Sequence, residues 1–279
     1  MRQIHVKDII QAVKEAVIAA NYELGADVLA ALEHGVHTEE SPTGREILRQ
    51  LLENARLAAT ERLPLCQDCG LVVILVELGQ EVHIVGGDFY DALQEGVRQG
   101  YQEGYLRKSL CHPLTRQNTG DNTPAVIHTE ITPGDQLKLS IMTKGGGSEN
   151  ASRVYLLKPA EGWAGIKEKV ITTVQEAGAG TCPPIIVGVG IGGTFERAAI
   201  LAKKALLREL GQANPDPELA AREEELLQAI NDLGIGPGGL GGRLTALGVH
   251  IHLQPCHIAS LPVAVNLQCH AARHREVIL

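Results

Sequence analysis

Residues 185–193, Ile-Ile-Val-Gly-Val-Gly-Ile-Gly-Gly, carry the pattern that says most about the fold. A short apolar run bounded by glycines is typical of a buried strand, and residues 194–210 have the composition of a helix. The glycines match Gly-x-Gly-x-x-Gly, which is found in dinucleotide sites. The segment after the helix is polar and shows no second buried strand with an acid for a ribose. We therefore predict a tight strand-to-helix turn whose N–H groups can face an anion, with nucleotide binding as an alternative.

The segments on either side alternate between helical periodicity and short apolar runs. This alternation predicts a mixed α/β fold (α+β-like), with several short strands in mixed sheets surrounded by helices. We expect one domain over residues 1–279, with two lobes as the alternative. The predicted helices cover 1–20, 43–61, 88–105, 161–177, 194–210 and 216–231; the predicted strands cover 71–78, 125–132, 136–143, 185–189, 246–252 and 262–267; a long ordered loop covers 107–124.

Composition excludes several classes of function. The 279 residues have a formal charge of −8, which argues against nucleic acid as a partner because phosphates reward basic surfaces. An anionic substrate must then be met by locally placed Arg or Lys. No apolar run approaches the roughly 20 residues of a membrane span, and the N-terminal segment contains acidic residues, unlike a targeting peptide. We expect a cytoplasmic protein that binds no membrane.

The cysteines are the residues most suggestive of chemistry. Thiols stay reduced in the cytosol, so disulfides are not expected. The Cys66-x-x-Cys69 pair allows a zinc or redox site, although a structural zinc site usually needs a second closely spaced pair. Three of the cysteines lie instead in polar segments marked by glycine or proline, namely Cys66, Cys182 and Cys269. A lone cysteine is nevertheless most often structural. The six are Cys66, Cys69, Cys111, Cys182, Cys256 and Cys269.

The whole chain resembles the α region of the class I fumarate hydratases and L-tartrate dehydratases. The similarity is spread over the full length and keeps its order along the chain, so it is specific to the family and less specific to the substrate. The segments that carry it are Leu65-Cys66-Gln67-Asp68 with Gly70, residues 144–150 (Lys-Gly-Gly-Gly-Ser-Glu-Asn), Gly180-Thr181-Cys182-Pro183, Gly192-Gly193-Thr194, and residues 262–266 (Pro-Val-Ala-Val-Asn) leading to Cys269.

The resemblance implies one 4Fe–4S cluster per chain, held by three thiolates with the fourth iron left open for substrate. The matching positions are Cys66, Cys182 and Cys269, on loops expected to converge on one cleft. Cys69 stands where the family usually has Thr, so we expect that it does not ligate. An open iron is a Lewis acid for a departing hydroxyl, whereas four protein ligands suit an electron carrier.

The resemblance also implies the acid–base and substrate-binding residues. Asp68 is the predicted proton-transfer residue, with a carboxylate that bonds backbone N–H groups as the structural alternative. His257 matches an active-site histidine, although alone it would more often be a buried core histidine. Gln67, Arg107 and Gly147 are the predicted substrate contacts, since a guanidinium pairs well with a carboxylate and a glycine N–H allows close approach. Further candidates are Arg116, Lys144 and Arg273.

The function expected from the resemblance is reversible hydration of fumarate to malate, with L-tartrate dehydration as the alternative and a non-catalytic zinc or redox module as a third. The substrate would be a small dicarboxylate. No segment of domain size follows Cys269, so we expect a separate β subunit to complete the active site in a higher heteromer, α2β2.

Overall fold

The computed structural model describes residues 2–279 and confirms a mixed α/β fold. Within the described chain no helix combines the length and the apolar character needed to cross a bilayer. The strands are β1 Arg2–His5, β2 Leu71–Gly79, β3 Val82–Val85, β4 Val126–Thr132, β5 Leu137–Lys144, β6 Arg153–Leu157, β7 Ile185–Gly192, β8 Ala246–Gln254, β9 Leu261–Gln268 and β10 His274–Ile278. The α-helices are α1 Val6–Tyr22, α2 Ala26–Thr38, α3 Pro42–Glu61, α4 Phe89–Glu103, α5 Gly146–Asn150, α6 Gly162–Ala177, α7 Phe195–Ala205 and α8 Pro217–Asn231.

The chain folds into two compact units, each with its own sheet. Unit 1 comprises residues 2–24, 55–146 and 273–279, and unit 2 comprises residues 25–54 and 147–272. Both units are therefore built from segments that are distant in sequence.

Unit 1 contains a four-stranded mixed sheet with strand order β10-β5-β2-β4 and a two-stranded parallel sheet of β1 and β3. Strand β2 is parallel to β4 and antiparallel to β5, and β10 pairs with the far edge of β5. Helices α1 and α4 pack against each other. Their close approach needs glycine, because a Cβ on Gly96 of α4 would lie 2.6 Å from the Cβ of Val13 in α1. The core of unit 1 lies between these helices and the sheet.

Unit 2 has a second four-stranded sheet, with strand order β6-β9-β7-β8. The central strand β7 is parallel to β8 and antiparallel to β9, and all of its residues are buried. Helix α7 lies on this strand. A Cβ on Gly188 would lie 2.2 Å from the backbone oxygen of Ala202, and one on Gly190 would lie 2.1 Å from that of Ala198. Only glycine at these two positions lets the helix pack so closely.

The predicted strand-to-helix turn is confirmed at its last two glycines only. Gly192 and Gly193 have φ values of +89° and +65°, a left-handed conformation that other residues adopt at a cost. Strand β7 extends through Gly192, three residues beyond the predicted end, and α7 is shorter than predicted. The first two glycines of the motif are therefore packing positions inside the strand.

Candidate active site

The loop between α3 and β2 in unit 1 contains Cys66, Gln67, Asp68, Cys69 and Gly70, and we call it the 66–70 loop. Two buried side chains hold its end. The hydroxyl of Tyr101 donates to the backbone oxygens of Cys69 at 2.6 Å and Gly70 at 3.0 Å. The side-chain amide of Asn122 donates to the oxygen of Gly70 at 3.1 Å. The loop thus has a fixed backbone.

The carboxylate of Asp68 is held by several donors. Its Oδ2 accepts from the N–H of Gly146 at 2.8 Å, and its Oδ1 accepts from the N–H of Gly70 at 2.9 Å and the hydroxyl of Ser109 at 3.3 Å. Burial raises the pKa of Asp68, but the N–H groups of Gly146 and Gly70, the charge of Arg273 and the hydroxyl of Ser109 together bring that pKa below its ordinary value. Asp68 is therefore ionised at neutral pH.

The Arg273 side chain reaches the 66–70 loop from the other end of the chain. It is 1% exposed, and its Nη1 donates to the backbone oxygen of Asp68 and to Oδ1 of Asn21, the latter at 3.3 Å. Its Nε has no hydrogen-bond partner among residues 2–279. A buried guanidinium next to Asp68 stabilises the charged carboxylate.

A cavity of about 300 Å³ opens beside Asp68 in unit 1. It brings together the predicted residues Asp68 and Arg107 with the buried Lys144 and the hydroxyl of Ser109. Two basic residues and one carboxylate are among the residues that line the cavity, and an anion finds a favourable charge at the exposed Arg107. The lining residues are Asp68, Gly70, Leu71, Arg107, Ser109, Leu110, Lys144 and Gly146.

The two thiols of the 66–70 loop have different surroundings. The sulfur of Cys66 is half-buried and accepts a hydrogen bond from the N–H of Asp68 at 3.4 Å, while Gln67 is exposed. Cys69 is 1% exposed and belongs to the core of unit 1, where its sulfur accepts from the N–H of Arg107 at 3.2 Å. Burial raises the pKa of the Cys69 thiol.

Unit 2 brings Cys182 and Cys269 to the same end of its sheet. Cys182 precedes β7 and Cys269 follows β9, and the register pairs Ile186 with Gln268. The two loops touch, since Nδ1 of His270 lies 2.9 Å from the backbone oxygen of Cys182. Gly147 is nearby, because a Cβ on it would lie 3.1 Å from the backbone oxygen of Gly180.

His257 lies at the opposite end of the same sheet. It follows β8, whose last residue pairs with Gly192 at the far end of β7. The length of β7, at about 3.3 Å per residue, separates this end from Cys182 by about 20 Å. His257 is exposed, so the structural alternative of a buried core histidine is wrong, and its catalytic role stays a prediction. The structure does not bring His257 together with Cys182 and Cys269 in unit 2.

The donor chemistry of the three cysteines suits an iron–sulfur cluster. None of the six cysteines forms a disulfide, and thiolates are the ligands that such clusters use. Cys66 also accepts an N–H hydrogen bond, of the kind that tunes ligand sulfurs. Across residues 2–279, however, no group of three or more His, Cys, Asp or Glu side chains is arranged to hold a metal ion. The ligand set stays a prediction.

Comparison with known proteins identifies the class of protein to which this chain belongs. The family model for fumarate hydratase (fumerase) matches residues 10–278. The chain therefore belongs to the fumarate hydratase family, which consists of hydro-lyases.

Similar proteins within this family are named as α subunits. A Methanocaldococcus jannaschii protein named "Putative L(+)-tartrate dehydratase subunit alpha" is 41% identical over 271 residues, which cover 95% of this chain and 94% of that protein. Proteins named "L(+)-tartrate dehydratase subunit alpha" from Escherichia coli O157:H7 and Escherichia coli K12 are each 32% identical over 261 residues, covering 91% of this chain and 84% of theirs.

Three residues that shape the site were not predicted from the sequence. Ser109, Asn122 and Tyr101 contact the 66–70 loop or the carboxylate of Asp68. Tyr101 occupies a helix position that periodicity assigns to the core, and only its hydroxyl distinguishes it from a packing residue. Ser109 and Asn122 lie in a polar loop, where such residues carry no positional signal.

Proposed function

We propose that this chain is the α subunit of a hydro-lyase that removes water from L(+)-tartrate. The observation that carries the proposal is the cavity of unit 1, where Arg107 and Lys144 lie beside an ionised Asp68. It lies in a chain that is 41% identical to a relative named for tartrate dehydration.

Arg107 is the proposed carboxylate ligand of the cavity. A guanidinium can donate two parallel hydrogen bonds to a carboxylate, and the Arg107 side chain is exposed at the cavity wall. Gln67 and the backbone N–H of Gly147 are proposed as further substrate contacts. Such groups fix the substrate in the orientation in which its proton and hydroxyl leave.

Asp68 is the proposed proton-transfer residue. Its pKa is lowered, so the carboxylate is in the form that accepts a proton. The N–H groups of Gly146 and Gly70 fix its orientation, but they also reduce its basicity. The same contacts are those of the structural alternative, a carboxylate that organises a loop. A variant that keeps the shape and removes the charge separates the two roles.

Cys66, Cys182 and Cys269 are the proposed ligands of a 4Fe–4S cluster. When bound, a cluster with an open iron supplies a Lewis acid for the leaving hydroxyl. Cys69 is not proposed as a ligand, because its sulfur is packed in the core of unit 1. His257 is also proposed as a catalytic residue; its Nδ1 accepts a hydrogen bond from the N–H of Ala259 at 3.2 Å.

A β subunit is the proposed partner. The relatives from Methanocaldococcus jannaschii and Escherichia coli are named as α subunits, and a subunit of that name implies a second kind of chain. We propose that the second chain completes the active site and that the complex is α2β2.

The test is a comparison of substrates with the complex prepared without oxygen. The chain is co-expressed with its candidate β chain, and dehydration of L(+)-tartrate, D(−)-tartrate and L-malate is followed through oxaloacetate or fumarate. A site that hydrogen-bonds the second hydroxyl of tartrate should favour L(+)-tartrate over malate by about 10²-fold or more in kcat/KM. Turnover of none of the three would refute the proposal.

The second candidate function is hydration of fumarate to malate. It is favoured by the family model, which is described as fumarate hydratase. Malate and tartrate differ by one hydroxyl, and both carry two carboxylates that Arg107 and Lys144 could bind. A kcat/KM for malate above that for L(+)-tartrate would select this candidate.

A further inference from the structure

The polar segment 105–120 of unit 1 is an ordered hairpin. An isolated antiparallel bridge joins Cys111 to Asn118. The N–H of His112 donates to the oxygen of Gln117 at 2.8 Å, and the side-chain amide of Asn118 donates to the oxygen of Lys108 at 2.9 Å. Residues 112–120 are nevertheless all exposed. We call this segment the 105–120 hairpin.

The 105–120 hairpin has an unusual charge for this protein. It contains Arg107, Lys108 and Arg116 but no Asp or Glu, in a chain whose formal charge is −8. In the part of the chain that the structure describes, none of the three side chains forms an ion pair. The nearest carboxylate in sequence, Asp121, is bound by Arg98 at 3.0 Å. The positive charge of the hairpin is therefore uncompensated.

The base of the 105–120 hairpin is a wall of the cavity that contains Asp68. Arg107, Ser109 and Leu110 line this cavity. Ser109 and Leu110 are fixed there, because their N–H groups donate to Oδ1 of Asn122 at 2.7 Å and 3.0 Å. The uncompensated charges thus continue from the cavity wall through the half-buried Lys108 to the exposed Arg116.

We propose that Lys108 and Arg116 steer dianionic dicarboxylates toward the cavity, without contacting the reacting atoms. The inference rests on the proposed function, which supplies the charge of the substrate. A chain with a net negative charge repels a dianion, and a local positive patch reverses this repulsion near the patch. Once the dianion has reached the cavity wall, Arg107 binds it through direct hydrogen bonds.

The hairpin also exposes Tyr105 and Leu114, at 90% and 86%. Exposed aromatic and apolar residues next to Arg are common in protein interfaces. An acidic partner surface would use the same cations, and the test includes this outcome. Steering is the proposal that the observations favour, since the charges adjoin the cavity and match the proposed substrate.

The test uses the complex of this chain with its β chain and two double variants of equal charge. Lys108→Gln with Arg116→Gln removes two charges from the hairpin. Arg2→Gln with Lys7→Gln removes two exposed charges from the start of unit 1, outside the cavity. We measure kcat and kcat/KM for the substrate dianion from low ionic strength to about 1 M salt, where the Debye length is about 3 Å.

The hairpin variant should lose about tenfold in kcat/KM at low ionic strength and approach the wild type at high salt, while kcat changes little. The control variant should follow the wild-type salt dependence. Equal salt slopes for the two variants would overturn the inference. A loss of kcat/KM that does not depend on salt would also overturn it, because it would mean that Lys108 and Arg116 bind the substrate directly. Loss of the β chain from the hairpin variant would overturn it too, because it would mean that the hairpin is a docking surface.

A second readout does not need turnover. Succinate is a dianion without a hydroxyl to lose, and calorimetry gives its affinity for the same complexes. If the wild type has no hydro-lyase activity, the proposed function fails. A salt-dependent affinity for succinate that is lost only in the hairpin variant would still support steering, and its absence would refute it.

Discussion

The hydroxyl of Tyr101 donates a hydrogen bond to the backbone oxygen of Cys69, 2.6 Å away. Tyr101 lies on α4 and is completely buried, and Cys69 lies in the loop that carries Asp68. The bond ties a helix of the core to the loop of the candidate site. The position of the Asp68 carboxylate therefore depends on a group that faces the core.

Replacing Tyr101 with Phe should destabilise the protein by about 1–3 kcal/mol, because the buried oxygen of Cys69 loses its donor. Unfolding in guanidinium chloride measures this change in the free energy of unfolding. Hydrogen exchange should also be faster at residues 66–70, since the loop loses its attachment.

The matched control is Tyr90→Phe. The Tyr90 hydroxyl is bonded to Thr129 at 3.1 Å, and the side chain is 50% exposed. Exposed substitutions usually change stability by about 0.5 kcal/mol or less. Equal effects of the two variants would show that the Tyr101 hydroxyl does not hold the loop.

The cysteines are expected to separate into two groups of three. Changing Cys66, Cys182 or Cys269 to Ser should give a folded protein without iron. The same change at Cys69 should retain iron, because this sulfur is packed in the core of unit 1, and Cys111 and Cys256 should behave like Cys69. Iron and sulfide per chain, measured in protein prepared without oxygen, decide the outcome. A Cys182→Ser protein with full iron and activity would contradict the ligand set.

Asp68→Asn should lower kcat by about 10²–10⁴-fold, the usual contribution of a positioned acid–base group. The amide keeps the shape of the side chain but cannot take the proton. The NH2 group of the new amide must also face the N–H of either Gly146 or Gly70. Because two donors then face each other, the variant should be less stable as well. Unfolding is therefore measured beside kcat and KM.

Ser109→Ala is the matched control for Asp68. It removes one donor, at 3.3 Å from the carboxylate, and leaves the charge in place. We expect kcat to stay within about tenfold of the wild type. An Asp68→Asn enzyme with wild-type kcat and reduced stability would leave Asp68 with a structural role alone.

Local sequence patterns predicted most of the elements, but they missed strands β1, β3, β6 and β10 and helices α2 and α5. Strand β2 and helices α4 and α6 have long periodic segments, and the predicted bounds agree with the structure within about two residues. Strand β10 was missed because it has five residues at the edge of a sheet. An edge strand needs little apolar surface, so its sequence carries a weak signal.

The contacts of the site depend on pairings that no local pattern contains. The backbone oxygen of Asp68 accepts a hydrogen bond from Nη1 of Arg273, which lies 205 residues further along the chain. The position of His257 depends on the direction of β8 relative to β7, and the parallel pairing places it away from Cys182. Residue types could therefore be predicted from the sequence, while their grouping required the topology.

A buried histidine should make stability depend on pH. His250 lies on β8 and is 4% exposed, and its Nδ1 is 3.1 Å from the backbone oxygen of Ala205. Burial lowers its pKa to about 4, and Arg208 and His252 act in the same direction, whereas Ala205 and Glu223 oppose them. The folded protein therefore keeps His250 neutral at pH values where the unfolded chain protonates it.

The sign of the effect follows from proton binding. Between pH 6.5 and about 4 the unfolded state binds more protons at this residue, so stability rises with pH over this range. The contribution of the neutral His250 to the free energy of unfolding is complete above pH 6.5 and is lost as the pH falls toward 4. Its full size is about 3–4 kcal/mol, at about 1.4 kcal/mol per pKa unit, and the full loss is reached only below pH 4.

His250→Gln should flatten this dependence, because the amide donates to Ala205 without taking a proton. Guanidinium unfolding at pH 7, 6, 5 and about 4 should show that the wild type loses about 2–3 kcal/mol more than the variant. His34→Gln is the control, since His34 is exposed on α2, and it should follow the wild-type profile. Parallel profiles for His250→Gln and the wild type would show that His250 is protonated equally in the folded and unfolded states, contrary to its burial.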